Sequence, residues 1–153
     1  MHPRMLGVVI AIALTFGIVA VAYAPYHTQQ PPQPAASMSG AFKAQAKVAS
    51  THAGFASDGS SMSYVKEHLG HVLACIEGAK GKNVNPSWMN PCSGQGGGVL
   101  NDLKASKSGA TWTLVARSAD SLALAGIKST ALADAKNAAK GVSELMRLVA
   151  ESK

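Results

Sequence analysis

Acidic residues are scarce in this chain: eight Asp and Glu stand against fourteen Lys and Arg, a formal charge of +6. The acids are scattered, and no carboxylate pair, His-Glu-x-x-His or Gly-x-Ser-x-Gly pattern is present, so the sequence carries no hydrolytic or acid–base machinery and reads as non-enzymatic. Aromatics are only 5% of the residues. A sheet core, which favours aromatic and β-branched side chains, is therefore disfavoured. A nucleic-acid surface, which needs a basic stripe interleaved with stacking rings, is excluded on the same ground. Cysteine occurs twice, at Cys75 and Cys92, and never as Cys-x-x-Cys. That absence excludes the usual zinc-site spacing and covalent haem attachment.

What the chain does have is an uncharged run, MLGVVIAIALTFGIVAVAYA, from Met5 to Ala24, with Arg4 before it. As a helix it would cover about 30 Å, one bilayer core. With Arg4 on the cytoplasmic side, the rest of the chain is sent outward. The alternative is a cleaved signal peptide, since Ala20-Val21-Ala22 and Ala22-Tyr23-Ala24 both have the small-x-small pattern. Pro25 directly after the second site and the length of the run favour retention as an anchor. Either way the domain is expected outside the cytoplasm, and as an anchored protein it is a single-pass inner-membrane protein facing the periplasm or the exterior. Its expected partners are the membrane, through the N-terminal helix, and an envelope protein. Residues 25–40, PYHTQQPPQPAASMSG, are rich in Pro, Gln and Ser and read as an extended linker.

Residues 41–153 read as an all-α domain, an up-down bundle of about four helices. Phe42, Ala46, Ala49, Ala53 and Phe55 form a modest stripe from Ala41 to about Ser57. Met62, Val65, Leu69, Val72, Leu73 and Ile76 mark a second helix, capped by Ser60 or Ser61 and stopped at Gly78. The stretch from Lys80 to Gly98 has two prolines and five glycines and reads as an irregular loop, with the Gly94–Gly98 run as a flexible connection. The phosphate-loop reading of that run fails for want of Gly-Lys-Ser/Thr and a preceding strand. A short helix from Val99 to Ala105 follows. Two further helices are expected, one carrying Val115, Ala119, Leu122 and Gly126, the other Leu132, Ala135, Ala139, Val142, Leu145, Met146 and Val149. A turn at Gly126–Ser129 separates them, since a four-helix arrangement then buries every stripe.

Two lone cysteines in an exported domain predict a Cys75–Cys92 disulfide that ties the second helix to the loop. The alternative fate is thiolate ligation of a metal. Tyr64, His68, His71 and Cys75 fall within about 60° of one another on the second helix. Two imidazoles one turn apart can converge on one metal ion, with His52 from the first helix and Met62 as further ligands, copper or zinc as the ion and haem as a lesser choice. The competing reading makes the protein a structural or interaction module of a cell-envelope complex with no metal, its histidines being packing residues at the edge of the core.

The segment HLGHVLACIEG, His68 to Gly78, followed by NPCSGQGGG, Asn90 to Gly98, resembles a pattern in small exported bacterial helical proteins of unassigned function. In that pattern a His-x-x-His helix ends in Cys-x-x-Gly and an Asn-Pro-Cys-x-Gly-x-Gly loop follows. The resemblance covers about a fifth of the chain and implies paired cysteines. A more distant likeness is to small periplasmic helical metal-binding proteins, which are His-rich throughout, whereas this chain has five His in all.

Overall fold

The computed structural model describes residues 38–106 and 109–153, and every regular element among them is a helix. These are α1 (Met38–Asp58), α2 (Met62–Glu77), α3 (Val99–Lys104), α4 (Gly109–Lys128) and α5 (Leu132–Ala150). The N-terminal run expected to cross a membrane lies outside the described residues, as does most of the linker. None of the described helices is long and apolar enough to cross a membrane. Helix α1 starts at Met38, so the last residues assigned to the linker are helical instead.

Helices α1, α2, α4 and α5 form a four-sided up-down bundle, each packed against two sequential neighbours, with α1 closing on α5. The directions follow from side-chain pairings. Ser50 and Ser143 exchange hydroxyl-to-carbonyl hydrogen bonds at 2.9 and 3.0 Å, and Lys43 donates to the Ser152 carbonyl, so α1 and α5 are antiparallel. Gly126 faces Ala138 while Leu122 faces Gly141, which makes α4 and α5 antiparallel. The expected turn between them is real: α4 ends at Lys128 and α5 begins at Leu132.

Three of the four helices present small residues to the interior. The buried positions are Ala46, Ala49, Ala53 and Ala56 on α1, Ala116, Ala119, Ala123 and Gly126 on α4, and Ala135 and Ala139 on α5. Small residues let helix backbones approach closely, so larger neighbours move to the flanks. Val115, Leu122 and Leu145, expected in the core, are only partly buried. Phe55, also expected there, is 46% exposed, its place in the α1 stripe taken by Ala56. Much of the volume comes from α2, where Val65, Leu69, Val72, Leu73 and Ile76 are all buried, and Phe42, Leu103, Val142, Met146 and Val149 add to it. Each such side chain contributes on the order of 1.5–3 kcal/mol.

Helix α2 is central. Its caps are as expected, with Ser61 Oγ accepting from Tyr64 N at 3.3 Å and Gly78 at φ 83° ending the helix. Every residue from Leu69 to Ile76 is buried, which requires cover on the side α1 and α4 leave open. The segment between α2 and α3 supplies it: a side chain on Gly70 would overlap the Trp88 ring. Cys75 and Cys92 form the expected disulfide, with Cα atoms 5.2 Å apart.

The glycine run is not a flexible connection. Gly98, at φ 105°, packs backbone to backbone against Glu77 and Gly78, where no Cβ would fit. The Gln45 side chain, buried on α1, fastens the run: its Oε1 accepts from Gly98 N at 2.8 Å and its Nε2 donates to Asp102 Oδ2 at 2.5 Å and to the Ala41 carbonyl at 3.1 Å. Asp102 Oδ1 accepts from Gly97 N at 3.2 Å. One amide thus joins α1, the glycine run and α3.

Candidate metal centre

His68 and His71 stand one turn apart on α2, and antiparallel packing brings His52 of α1 against both. His52 Nδ1 lies 3.0 Å from His68 Nδ1 and 3.2 Å from His71 Nδ1. One ring nitrogen from each of the three fits within a 4.8 Å group. The His71 ring is nearly perpendicular to both His52 and His68, with centroids 4.9 and 5.2 Å away, while His52 and His68 are tilted by 31°. His71 is 4% exposed, and its Nε2 is buried without a partner. Nδ1 is therefore the nitrogen through which His71 meets other polar atoms.

The local sequence explains the placement. The His68/His71 edge of α2 adjoins its buried stripe and faces α1, whose alanines admit close approach. Two half-exposed aromatic rings frame the cluster. Tyr64, 43% exposed, lies 4.3 Å from the His68 ring by centroid. Phe55 meets His52 and His68 edge-on at 5.7 and 5.4 Å.

All three imidazoles are held below the ordinary histidine range. Burial is the main cause for His52, lowered to about 4, with the His71 and His68 charges adding to it. Burial likewise lowers His68 and His71, against an opposing pull from Glu67. The neutral rings at pH 7 have the protonation state that metal ligation needs.

Of the four ligands expected from sequence, His52, His68 and His71 come together. Met62 packs against the hydrophobic core, and at 100° per residue it projects roughly 120° away from His68 and to the opposite side from His71. Cys75 shares the histidine face but is committed to the disulfide, so no thiolate is available. Sequence reasoning did not find Phe55 as part of the frame, because it was assigned to the core stripe for its apolar side chain although its angle on the helix lies about 120–180° from Phe42, Ala46, Ala49 and Ala53.

Comparison with protein-family models, curated proteins and solved structures finds no match. The reading of the site therefore rests on its own geometry.

Proposed function

We propose that the chain is a membrane-anchored, extracytoplasmic helical-bundle protein, non-enzymatic, that holds one transition-metal ion on His52, His68 and His71. The observation that carries the metal reading is the convergence of three Nδ1 atoms at 3.0 and 3.2 Å about His52. A neutral imidazole nitrogen carries either one proton or one lone pair. Protonated, His52 Nδ1 can make one good hydrogen bond to one neighbour; unprotonated, it can accept from one. The other short contact then either joins like groups or shares that same proton or lone pair in a poorly aligned three-centre bond. A cation removes the conflict by accepting all three lone pairs, and ligand nitrogens about 2.0–2.1 Å from a tetrahedral zinc would lie about 3.3 Å apart.

The donor set narrows the metal. Neutral imidazoles suit zinc and cupric copper, whereas cuprous copper favours the thiolate or thioether this cluster lacks. Haem fits poorly, because two axial imidazoles must lie on opposite faces of a macrocycle and these nitrogens meet each other directly. The anchor and the outward location are supported by the uncharged run from Met5 to Ala24 behind Arg4. Carbonate extraction that releases the protein would remove the anchor from this reading.

Titration of the metal-free full-length chain with Zn²⁺, Cu²⁺ and haem tests the site. One equivalent of Zn²⁺ or Cu²⁺ is expected to bind, at least tenfold more weakly after His52→Ala or His68→Ala. Absence of metal binding, or undiminished binding in the variant with all three histidines changed to Ala, ends the metal reading.

A further inference from the structure

At the other end of α2 a cleft of about 290 Å³ opens between three elements. Lys80 comes from the loop after α2, Asn101 and Lys104 from α3, and Thr113 and Arg117 from successive turns of α4, with Glu77 the one acid in its wall. We propose that this cleft is a binding site for a phosphoryl group. It shares no residue with the histidine cluster and does not depend on the metal reading.

The argument begins with what fails to neutralise the cations. All eight acids of the chain lie within the described residues, and the ion pairs among those residues are two, both on Arg147. Lys80, Lys104 and Arg117 therefore have no carboxylate within pairing distance. The nearby acids are engaged elsewhere. Glu77 accepts from Asn83 N at 3.0 Å and Asn83 Nδ2 at 2.5 Å. Asp102 is held by Gln45 and Gly97. Asp120 leans on Glu77.

Three cations against Glu77 leave an excess of about two positive charges, matching the roughly −1.5 to −2 of a phosphate monoester at neutral pH. A phosphoryl group also offers several oxygens in different directions, as donors arriving from three elements require, and a guanidinium can engage two of them at once. The Thr113 hydroxyl, one turn before Arg117, adds a neutral donor. The Asn101 amide instead holds the frame, donating to the Gly97 carbonyl at 2.8 Å and the Glu77 carbonyl at 3.3 Å. The phosphoryl group can belong to a free phosphate compound or to a lipid headgroup, and both present the same chemistry.

The test uses the full-length chain, stripped of metal so that the histidines cannot recruit the probe. Inorganic pyrophosphate and glycerophosphoglycerol, the water-soluble headgroup of phosphatidylglycerol, are each titrated calorimetrically, since the N-terminal run would carry the chain onto any vesicle. Saturable one-to-one pyrophosphate binding is expected, weakened at least tenfold by Lys104→Gln with Arg117→Gln and unchanged by Lys136→Gln with Lys140→Gln on α5. Glu77→Gln, which removes the opposing charge, should tighten binding severalfold, so the proposal is checked by a gain as well as a loss. If only the binding of glycerophosphoglycerol is lost in the cleft variant, the source is a lipid headgroup. Failure of the cleft and control variants to differ with either probe overturns the proposal.

Discussion

Trp88 occupies the space that a side chain at Gly70 would need: a Cβ there would overlap the indole ring. Gly70→Ala should favour the helix by up to about 1 kcal/mol from propensity alone. Overlap with a large ring should outweigh that, at about 1–3 kcal/mol, giving a lower denaturation midpoint and a changed tryptophan emission. In a Trp88→Ala background the same substitution should become neutral or stabilising. Equal effects in both backgrounds would show that Trp88 is not what keeps residue 70 a glycine.

Reduction of the Cys75–Cys92 bond should cost about 3 kcal/mol, the chain-entropy value for a loop of this size, and lower the melting temperature. Most helical signal should remain below the transition, because the four helices close on one another through α1 and α5 rather than through the bridge. Circular dichroism before and after full reduction checks both halves. Collapse of the helical signal on reduction would mean that α2 depends on the covalent tie.

Helices and cysteines were legible because each leaves a local signature: 3–4 spacing on α2, a serine cap and a glycine stop, and two lone thiols. The loop over α2 was not. The sequence from Lys80 to Gly98 has turn-forming composition whether it waves in solvent or packs tightly, and only the all-round burial of Leu69 to Ile76 reveals that it covers them. The fastening residue, Gln45, looks like any polar residue on a small-residue helix, and its partners Gly98 and Asp102 are more than fifty positions away. In the candidate metal centre, His68 and His71 could be paired from spacing alone, and His52 followed from an antiparallel α1. Met62 was misplaced because its ligand chemistry was weighed ahead of its angle on the helix.

The histidines should make the metal-free protein acid-sensitive. The folded-state value of His52, about 4, lies below its ordinary 6.5, and those of His68 and His71 are lowered too. The unfolded chain therefore binds protons first, so their contribution to stability is complete above pH 6.5 and is lost as pH falls toward 4. Denaturant midpoints measured with a chelator between pH 7 and 4.5 should decline, and the decline should shrink in His52→Leu. An unchanged pH slope in that variant would place the acid sensitivity elsewhere.

Asp120 should act in the opposite direction over nearly the same window. Burial is the main cause that raises its carboxyl from 3.8 to about 6; the Glu77 charge and a hydrogen bond with Glu77 add to this, while Lys82 opposes it. Its Oδ1 is buried without a partner, so the ionised form has poor solvation and a like charge beside it. A group that holds its proton more tightly when folded stabilises fully below its unfolded value, near 3.8, and the contribution is lost as pH rises through 6. The wild-type profile is thus a difference between rising histidine and falling Asp120 contributions, and single variants separate them. Asp120→Asn keeps the shape, removes the charge and can still donate to Glu77. It should raise the denaturation midpoint at pH 7 more than at pH 4.5 and steepen the acid-side loss that the histidines cause. An Asp120→Asn protein no more stable than wild type at pH 7 would show that the two carboxyls do not strain the fold.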